Sequence, residues 1–199
     1  MITSLLSNVV IHREVDMAAI EAITMPVDED LRRRRKALVE EHAEAEDRHD
    51  LDATIATFRK PRYEIIPTGE VFDGEEEVRR MHAYNWRAFP DFRSEHIALH
   101  HFDDGIVDES WVTGTQLGPF HGLPPTGRLV RFRVIALFLF EGDGLVCERV
   151  YYDTLEVMGG LGVARDPMTL AGQAALVLNH PVVFTGAALR WLRQRAARS

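Results

Sequence analysis

The chain has 199 residues, of which 46% are hydrophobic and 27% are charged, and its net charge is −8. These values are typical of one soluble globular domain with short extensions. The acidic balance argues against nucleic acid as a partner, because surfaces that bind phosphate are basic. The single cysteine, Cys147, excludes an intrachain disulfide, and no apolar run is long enough to cross a bilayer. The first residues lack the features of a secretory signal, so we expect a cytoplasmic protein.

Three segments can be distinguished along the chain. Residues 1–30 have mixed signals and are predicted to form an N-terminal extension with a short helix at 15–24. Residues 31–162 contain successive helix and strand patterns, which indicate one folded domain. Residues 163–199 are predicted to form a C-terminal helical extension.

An amphipathic helix is predicted over residues 31–49. At about 100° per residue, His42, Glu46 and His49 fall within one sector of this helix, together with apolar side chains. Burial of ionisable groups is costly unless they are paired or used. We therefore expect these three residues to face a pocket as an acid–base or substrate-orienting network, with a purely structural network as the alternative.

The same three residues also invite a metal interpretation, since two histidines and a carboxylate are a known ligand set. Their spacing spreads the ligands along about 10 Å of helix. His42 and Glu46 could share an ion, but His49 would be strained to join them. We expect no metal and no other cofactor.

A second long helix is predicted over residues 75–89, after a short helix and a short strand at 63–66. Its three initial glutamates suit the positive end of a helix, and a proline follows its last turn. His82, Trp86 and Phe89 on this helix are candidates for lining the pocket and contacting a substrate.

From Phe92 onward the pattern changes to strands. Residues 93–101 and 106–117 are predicted to form one hairpin, and residues 129–140 and 145–153 a second. Helices followed by a long antiparallel meander are typical of the α+β class. We expect a curved antiparallel sheet of four to six strands that wraps around the N-terminal helices and leaves a pocket between them.

The connection between the two hairpins carries the most specific motif. Residues 114–128 read Gly-Thr-Gln-Leu-Gly-Pro-Phe-His-Gly-Leu-Pro-Pro-Thr-Gly-Arg. With the apolar strand that follows and the closing run Glu-Arg-Val-Tyr-Tyr-Asp at 148–153, this motif resembles the SnoaL-like polyketide cyclases of the nuclear-transport-factor-2-like superfamily. The resemblance covers about residues 36–162 and implies a cone-shaped α+β domain.

The resemblance also implies a proton-transferring residue near the end of the last strand, where the cyclases use an aspartate for an intramolecular aldol closure. Carried over, that role falls on Asp153, although another alignment places it at Tyr151. Burial near the end of an apolar strand can raise the pKa of a carboxyl group, which suits proton transfer near neutral pH. Asp153 can also cap the helix that begins at Thr154, and the two roles are compatible.

Other positions depart from the family pattern. Gln116 stands where many relatives have a histidine, and Leu137 matches a strand histidine of the polyketide cyclases. His42, by contrast, matches a position that is commonly tyrosine. The acid–base set of this chain therefore differs from that of the cyclases.

Further residues are candidates for contacting a substrate. Glu109 could be a second inward carboxylate or lie at an edge. Arg133 could pair with Asp153 or hold an oxyanion. His121 lies in the long loop, at the pocket mouth or on the surface. Gln116 and Tyr151 are two more residues that we expect to contact a substrate.

The C-terminal extension, residues 163–199, carries five arginines and one aspartate beside apolar residues at helical spacing. A basic amphipathic helix of this kind can lie on a membrane surface. We expect it instead to pack against the domain or a second subunit. A homodimer formed through the exposed sheet face is also expected.

The leading hypothesis is a cofactor-free lyase or isomerase that cyclises, isomerises or dehydrates a small apolar carbonyl or polyketide-like compound. Asp153 would transfer the proton, assisted by His42, Glu46 or His49. One alternative is a non-catalytic module that binds a metabolite or supports dimerisation, and another is an epoxide or ester hydrolase. The first hypothesis expects these four residues to converge on one apolar cavity. An Asp153 that points to solvent favours the binding module.

Overall fold

The structure is a computed structural model that describes residues 29–197. The predicted N-terminal extension, with its helix at 15–24, lies almost entirely outside the described residues. The described chain contains six helices and six strands: α1 (Glu29–Asp47), α2 (Leu51–Ala56), β1 (Arg62–Ile65), β2 (Glu70–Asp73), α3 (Glu75–Ala88), β3 (Arg93–Phe102), β4 (Gly105–Thr115), β5 (Leu129–Glu141), β6 (Gly144–Tyr152), α4 (Thr154–Gly160), α5 (Leu170–Asn179) and α6 (Pro181–Ala196).

All six strands belong to one curved, unclosed sheet in the order β2-β1-β6-β5-β4-β3. β1 pairs with β6 in parallel, and the other neighbouring strands are antiparallel. This confirms the α+β class and both predicted hairpins. β2 was not predicted, because residues 67–74 contain consecutive turn signals that conceal its four residues.

β5 shows which side chains of the sheet point inward, because its apolar residues alternate most regularly. Val134, Ala136 and Phe138 are buried on the inner face, against the helices. Register then fixes the inner face of β6, because Phe138 pairs with Glu148 and Val134 with Tyr152. A strand has a side-chain period of two, so these pairings decide the orientation of residues 147–152, up to the irregularity opposite Leu139 and Phe140.

Two apolar clusters hold the helices to this face. The larger one joins α1, α2 and α3 to the sheet and includes Val39, Ile55, Val78 and Phe138. The smaller one lies at the end of α3 and packs α4 against β5. Between the two clusters the helices and the sheet leave a cavity.

Gln116 organises the long loop between β4 and β5. Its side chain is fully buried, donates to the Gly118 and Pro124 carbonyl oxygens at 3.2 Å, and accepts from the Thr126 main-chain N–H and hydroxyl. These bonds satisfy both ends of the amide. The prediction that Gln116 contacts substrate is corrected, because this side chain lies outside the cavity and is used to close the loop.

The C-terminal helices contribute little to the core. α5 buries only Gly172, and α6 buries no residue. Packing of α6 against the domain, one of the two predicted alternatives, is therefore not observed, and packing against a second subunit stays a prediction. Among residues 29–197 no helix is both long and apolar enough to cross a membrane.

Gly118 provides a test of how the loop is held against α3. The main-chain N–H groups of Leu117 and Gly118 both donate to the Ala88 carbonyl oxygen, and a Cβ at 118 would lie 2.3 Å from the Arg87 carbonyl oxygen. We expect Gly118→Ala to lower the free energy of unfolding by about 1–3 kcal/mol in urea denaturation, because the backbone must move. Gly159→Ala is the matched control, since a Cβ added there would have no atom within 4 Å and the site is helical. Equal stabilities of the two variants would contradict this account.

Candidate active site

His42 lies in the C-terminal half of α1 and is fully buried. Its ring sits edge-on to Phe58 and Phe138, at centroid distances of 5.1 and 5.7 Å. An ionisable ring in apolar surroundings requires hydrogen-bond partners for both nitrogens.

The protonation of Nδ1 follows from its partner. Nδ1 of His42 is 2.7 Å from the Thr57 hydroxyl oxygen, and that hydroxyl is 2.6 Å from the Thr54 carbonyl oxygen. A carbonyl oxygen can only accept, so the single hydroxyl proton of Thr57 is donated to it. Thr57 therefore accepts from the ring, and Nδ1 carries a proton.

The second nitrogen, Nε2, faces three oxygens. It lies 2.8 Å from the Tyr63 hydroxyl, 3.1 Å from Glu148 Oε2 and 3.3 Å from Glu46 Oε1. Tyr63 donates its own proton to Glu46 Oε1 at 2.6 Å, which leaves its oxygen as an acceptor. A doubly protonated ring, an imidazolium, satisfies these contacts.

The pKa shifts agree with this geometry. Burial alone would lower the pKa of His42, but the two glutamates outweigh burial and raise it to about 10. Burial also opposes ionisation of Glu46, yet the charge and hydrogen bond of His42 hold the pKa of Glu46 at about 2. Glu148 shifts in the opposite direction, because burial and then the negative charge of Glu46 raise its pKa. Glu46 is therefore the fixed anion, and Glu148 is the carboxyl group whose proton is exchangeable closer to neutral pH.

His82 adds a neutral imidazole to this group. Burial lowers the pKa of His82 to about 4, although Glu46 acts in the opposite direction. Its Nε2 is 3.5 Å from Glu46 Oε1 and has no hydrogen-bond partner among residues 29–197. The ring packs against Tyr63 and Trp86 at centroid distances of 5.1 and 4.9 Å.

A cavity of about 640 Å³ lies between these groups and the inner face of the sheet. This volume is typical of small-molecule sites. Phe132, Val134, Ala136, Phe138 and Val150 form much of its apolar wall. Its polar wall includes one part on the helices, β1 and β6, with Glu46, Tyr63, His82 and Glu148. A second part lies on β3 and β4, with Ser94, His96, Asp108 and Ser110.

The cluster also has the composition of a metal site. Ligand atoms of His42, Glu46 and Glu148 lie within 4.8 Å of one another. Nδ1 is protonated, so an ion would have to take Nε2 and displace the proton shared with the glutamates. The imidazolium uses the same donor set without that displacement. His49, which the sequence grouped with His42 and Glu46, is not part of this set.

Of the four residues predicted to converge, His42 and Glu46 contact each other. Glu46 lines the cavity, and the His42 ring lies behind the cavity wall. His49 follows the end of α1 with a φ of 55° and stacks on Trp86 at 4.8 Å. It borders a separate depression beside Asp47 and Arg93. The expectation for His49 is corrected because the helix ends at Asp47, two residues before it.

Asp153 does not reach the cavity. It is exposed and forms the N-cap of α4, accepting from the Leu155 N–H at 2.8 Å and the Glu156 N–H at 3.4 Å. Tyr151, on the same strand, is also outside the cavity lining and is 38% exposed. The expected inward position of both residues is corrected, because the pairing of β6 with β5 directs Glu148, Val150 and Tyr152 inward instead.

Glu109 and Arg133 are also placed on the outer face of the sheet. They form an ion pair with each other, and the Arg133 guanidinium lies 4.7 Å from the centroid of Trp111. Arg133 therefore pairs with Glu109 rather than with Asp153. Neither residue lines the cavity.

Four other predicted contact residues do line the cavity: His82, Trp86, Phe89 and His121. His121 is exposed, and its main-chain N–H donates to the Tyr84 hydroxyl at 2.6 Å. It therefore lies at the cavity mouth. All four residues therefore border the cavity, and their contact with a ligand stays a prediction.

Sequence reasoning missed Glu148, Tyr63 and Asp108 as site residues. Each occupies the apolar phase of a strand, where an ionisable side chain is unexpected and therefore informative. Glu148 could have been found from this signal, since Val150 and Tyr152 share its phase. Tyr63 could not, because its contact with His42 depends on the parallel pairing of β1 with β6.

Comparisons with known proteins place this geometry in context. Residues 36–161 match the family model of the SnoaL-like polyketide cyclases. AclR from Streptomyces galilaeus, provisionally described as a hydroxylase, is 23% identical with a TM-score of 0.60, over 70% of this chain and 92% of that one. A protein from Jannaschia sp. CCS1, provisionally described as a SnoaL-like polyketide cyclase, is 23% identical with a TM-score of 0.60, over 67% and 94%.

IdmH from Streptomyces antibioticus, provisionally described as a polyketide cyclase, is 19% identical with a TM-score of 0.56, over 65% of this chain and 99% of that one. At these identities the likeness shows the fold alone. The comparison with curated proteins finds no match. Together the matches confirm the resemblance inferred from residues 114–128 and the nuclear-transport-factor-2-like fold.

The capping role of Asp153 can be tested by substitution. We expect Asp153→Ala to lower the free energy of unfolding by about 0.5–2 kcal/mol, because two N–H groups at the start of α4 lose their acceptor. Asp153→Ser is the control, since serine caps a helix comparably and should retain wild-type stability. Urea denaturation measures both variants. A loss of the same size in both would show that the carboxylate does something other than cap the helix.

Proposed function

Because the chain belongs to the SnoaL-like polyketide cyclase family, we propose that it is an acid–base enzyme. It removes and returns a proton next to the carbonyl group of a small, mostly apolar compound. Aldol cyclisation, isomerisation and dehydration can all begin with this step. The observation that carries the proposal is Glu148, a carboxyl group with a raised pKa on the wall of an apolar cavity.

Glu148 is the proposed catalytic residue. A carboxylate with a raised pKa is a stronger base than an ordinary one, and its conjugate acid still gives the proton back. His42, Glu46 and ionised Glu148 together carry one net negative charge. Proton uptake by Glu148 leaves this buried cluster neutral, which favours the uptake in surroundings of low dielectric.

His42 acts as a positioning residue in this proposal. Its ring does not line the cavity, but its Nε2 lies 3.1 Å from Glu148 Oε2 and so fixes the orientation of the carboxylate. Thr57 in turn fixes the ring from the opposite side. Glu46 keeps the imidazolium charged while Glu148 changes its protonation state.

The negative charge that develops on the carbonyl oxygen requires a hydrogen-bond donor. His82 is the proposed donor, since it lines the cavity and stays neutral at physiological pH. A neutral imidazole can donate a hydrogen bond to an enolate without an initial ion pair, and a preorganised donor stabilises the developing charge.

A ligand-binding module without catalysis remains the competing function. The outward position of Asp153 removes one argument for catalysis, and Glu148 supplies an alternative base. A binding site needs polar groups, but it does not need two carboxyl groups whose pKa values are driven apart around one imidazolium. This separation favours proton transfer.

The proposal can be tested without knowing the natural substrate. We expect the protein to accelerate the exchange of the methyl protons of 2-acetonaphthone with D2O, because this exchange requires proton removal next to a carbonyl. Glu148→Gln should lower the protein-catalysed rate by about 10²- to 10⁴-fold, the usual contribution of a general base. Proton NMR measures the rate as loss of the methyl signal.

Glu109→Gln is the matched control for this experiment. This substitution removes a carboxylate from the outer face of the sheet, and the variant should catalyse the exchange of the methyl protons at the wild-type rate. Wild-type protein that never exceeds the buffer rate supports the binding module. A folded Glu148→Gln variant with an undiminished rate assigns the base to another residue.

A further inference from the structure

Asp108 is a buried carboxylate at the cavity, in addition to the carboxyl groups of Glu46 and Glu148, and the proposed reaction does not use it. It lies on β4, is 4% exposed and lines the cavity. Its Oδ2 accepts from Nδ1 of His96 at 2.9 Å. Its Oδ1 is buried and has no hydrogen-bond partner among residues 29–197. A buried carboxylate oxygen without a partner is costly, so this atom marks a place where a donor is missing.

We infer that Asp108 Oδ1 accepts a hydrogen bond from a hydroxyl group of the ligand, and that the ligand is therefore a hydroxylated ketone. The inference rests on the proposed function for the carbonyl end of the ligand, which lies at Glu148. It adds a second recognition point at the other part of the polar wall.

The register of the sheet gives the separation of these two points. Asp108 pairs with Ala136, which pairs with Val150, whereas Glu148 lies in the neighbouring inward row with Phe138. Two strand spacings across and two residues along the strand separate the Cα atoms of Asp108 and Glu148 by about 12 Å. A compound that reaches both side chains needs about the length of two fused rings, which the cavity of about 640 Å³ accommodates.

His96 favours a neutral donor over a cation. Its hydrogen bond to Asp108 raises the pKa of His96, which favours a positive charge on the ring beside this carboxylate. A ligand ammonium group would add a second positive charge beside it. A hydroxyl group supplies the missing proton to Oδ1 without that repulsion.

The test uses two ketones of nearly equal shape, 6-hydroxy-2-acetonaphthone and 6-methoxy-2-acetonaphthone. Only the first can donate a hydrogen bond from position 6. We expect the wild-type protein to bind the hydroxy compound at least about tenfold more tightly, since hydrogen bonds to charged acceptors are the stronger ones. Isothermal titration calorimetry gives both dissociation constants. Asp108→Ala should abolish the difference.

Ser110→Ala is the matched control, because it removes another polar group from the same wall, two residues along β4. It should retain the preference for the hydroxy compound. Should Asp108→Ala fail to fold, Asp108→Asn replaces it, and the preference should shrink because the acceptor loses its charge. A wild-type protein that binds the two compounds equally, or binds neither, overturns the inference, as does a preference that survives in Asp108→Ala.

These outcomes are separable from those of the proton-exchange experiment. Glu148→Gln should keep the preference for the hydroxy compound, because binding at Asp108 requires no proton transfer. Preference without exchange in the wild type would refute the proposed reaction and leave the Asp108 site standing. Exchange without preference would refute the Asp108 site alone.

Discussion

A positive charge held inside the apolar core, on the ring of His42, is the constraint on which the rest of the site depends. The ring joins four parts of the chain, since it lies on α1 and contacts Thr57 after α2, Tyr63 on β1 and Glu148 on β6. Removing one partner from a buried charge cluster leaves the others uncompensated, which makes such a cluster strongly interdependent. The helices and the sheet are therefore coupled through one imidazolium as well as through apolar packing.

The carboxyl groups of Glu46 and Glu148 differ in pKa around this positive charge. Glu46 also accepts the Tyr63 hydroxyl proton, and its pKa is held low. Glu148 experiences burial and the negative charge of Glu46 more strongly than it experiences His42, and its pKa rises. One fixed anion and one exchangeable proton thus arise from two residues of the same type, because their surroundings differ.

Much of the fold could be predicted from the sequence. Helical periodicity placed His42 and Glu46 on the inward face of α1, and strand alternation with turn signals gave both long hairpins. The loop at 114–128 indicated the family, which the family match confirms. These features are local, or they depend on short motifs.

The rest depended on long-range pairing. Residues 148–153 offer two phases, one with Glu148, Val150 and Tyr152 inward and one with Asp153 inward, and only the register against β5 decides between them. The resemblance favoured the wrong phase. His49 was misplaced by a helix end that shifted by two residues, and Asp108 was overlooked because its neighbour Glu109 was considered as the inward carboxylate of β4.

The central claim, that His42 is a buried imidazolium, is tested most directly by the ¹⁵N chemical shifts of its ring nitrogens as a function of pH. The His42→Gln variant, which lacks these signals, assigns them. The account predicts that both nitrogens are still protonated at pH 8.5, about two units above the ordinary histidine pKa, and that they titrate near pH 10. A ring that is neutral at that pH, or that titrates near the ordinary value of about 6.5, would contradict it.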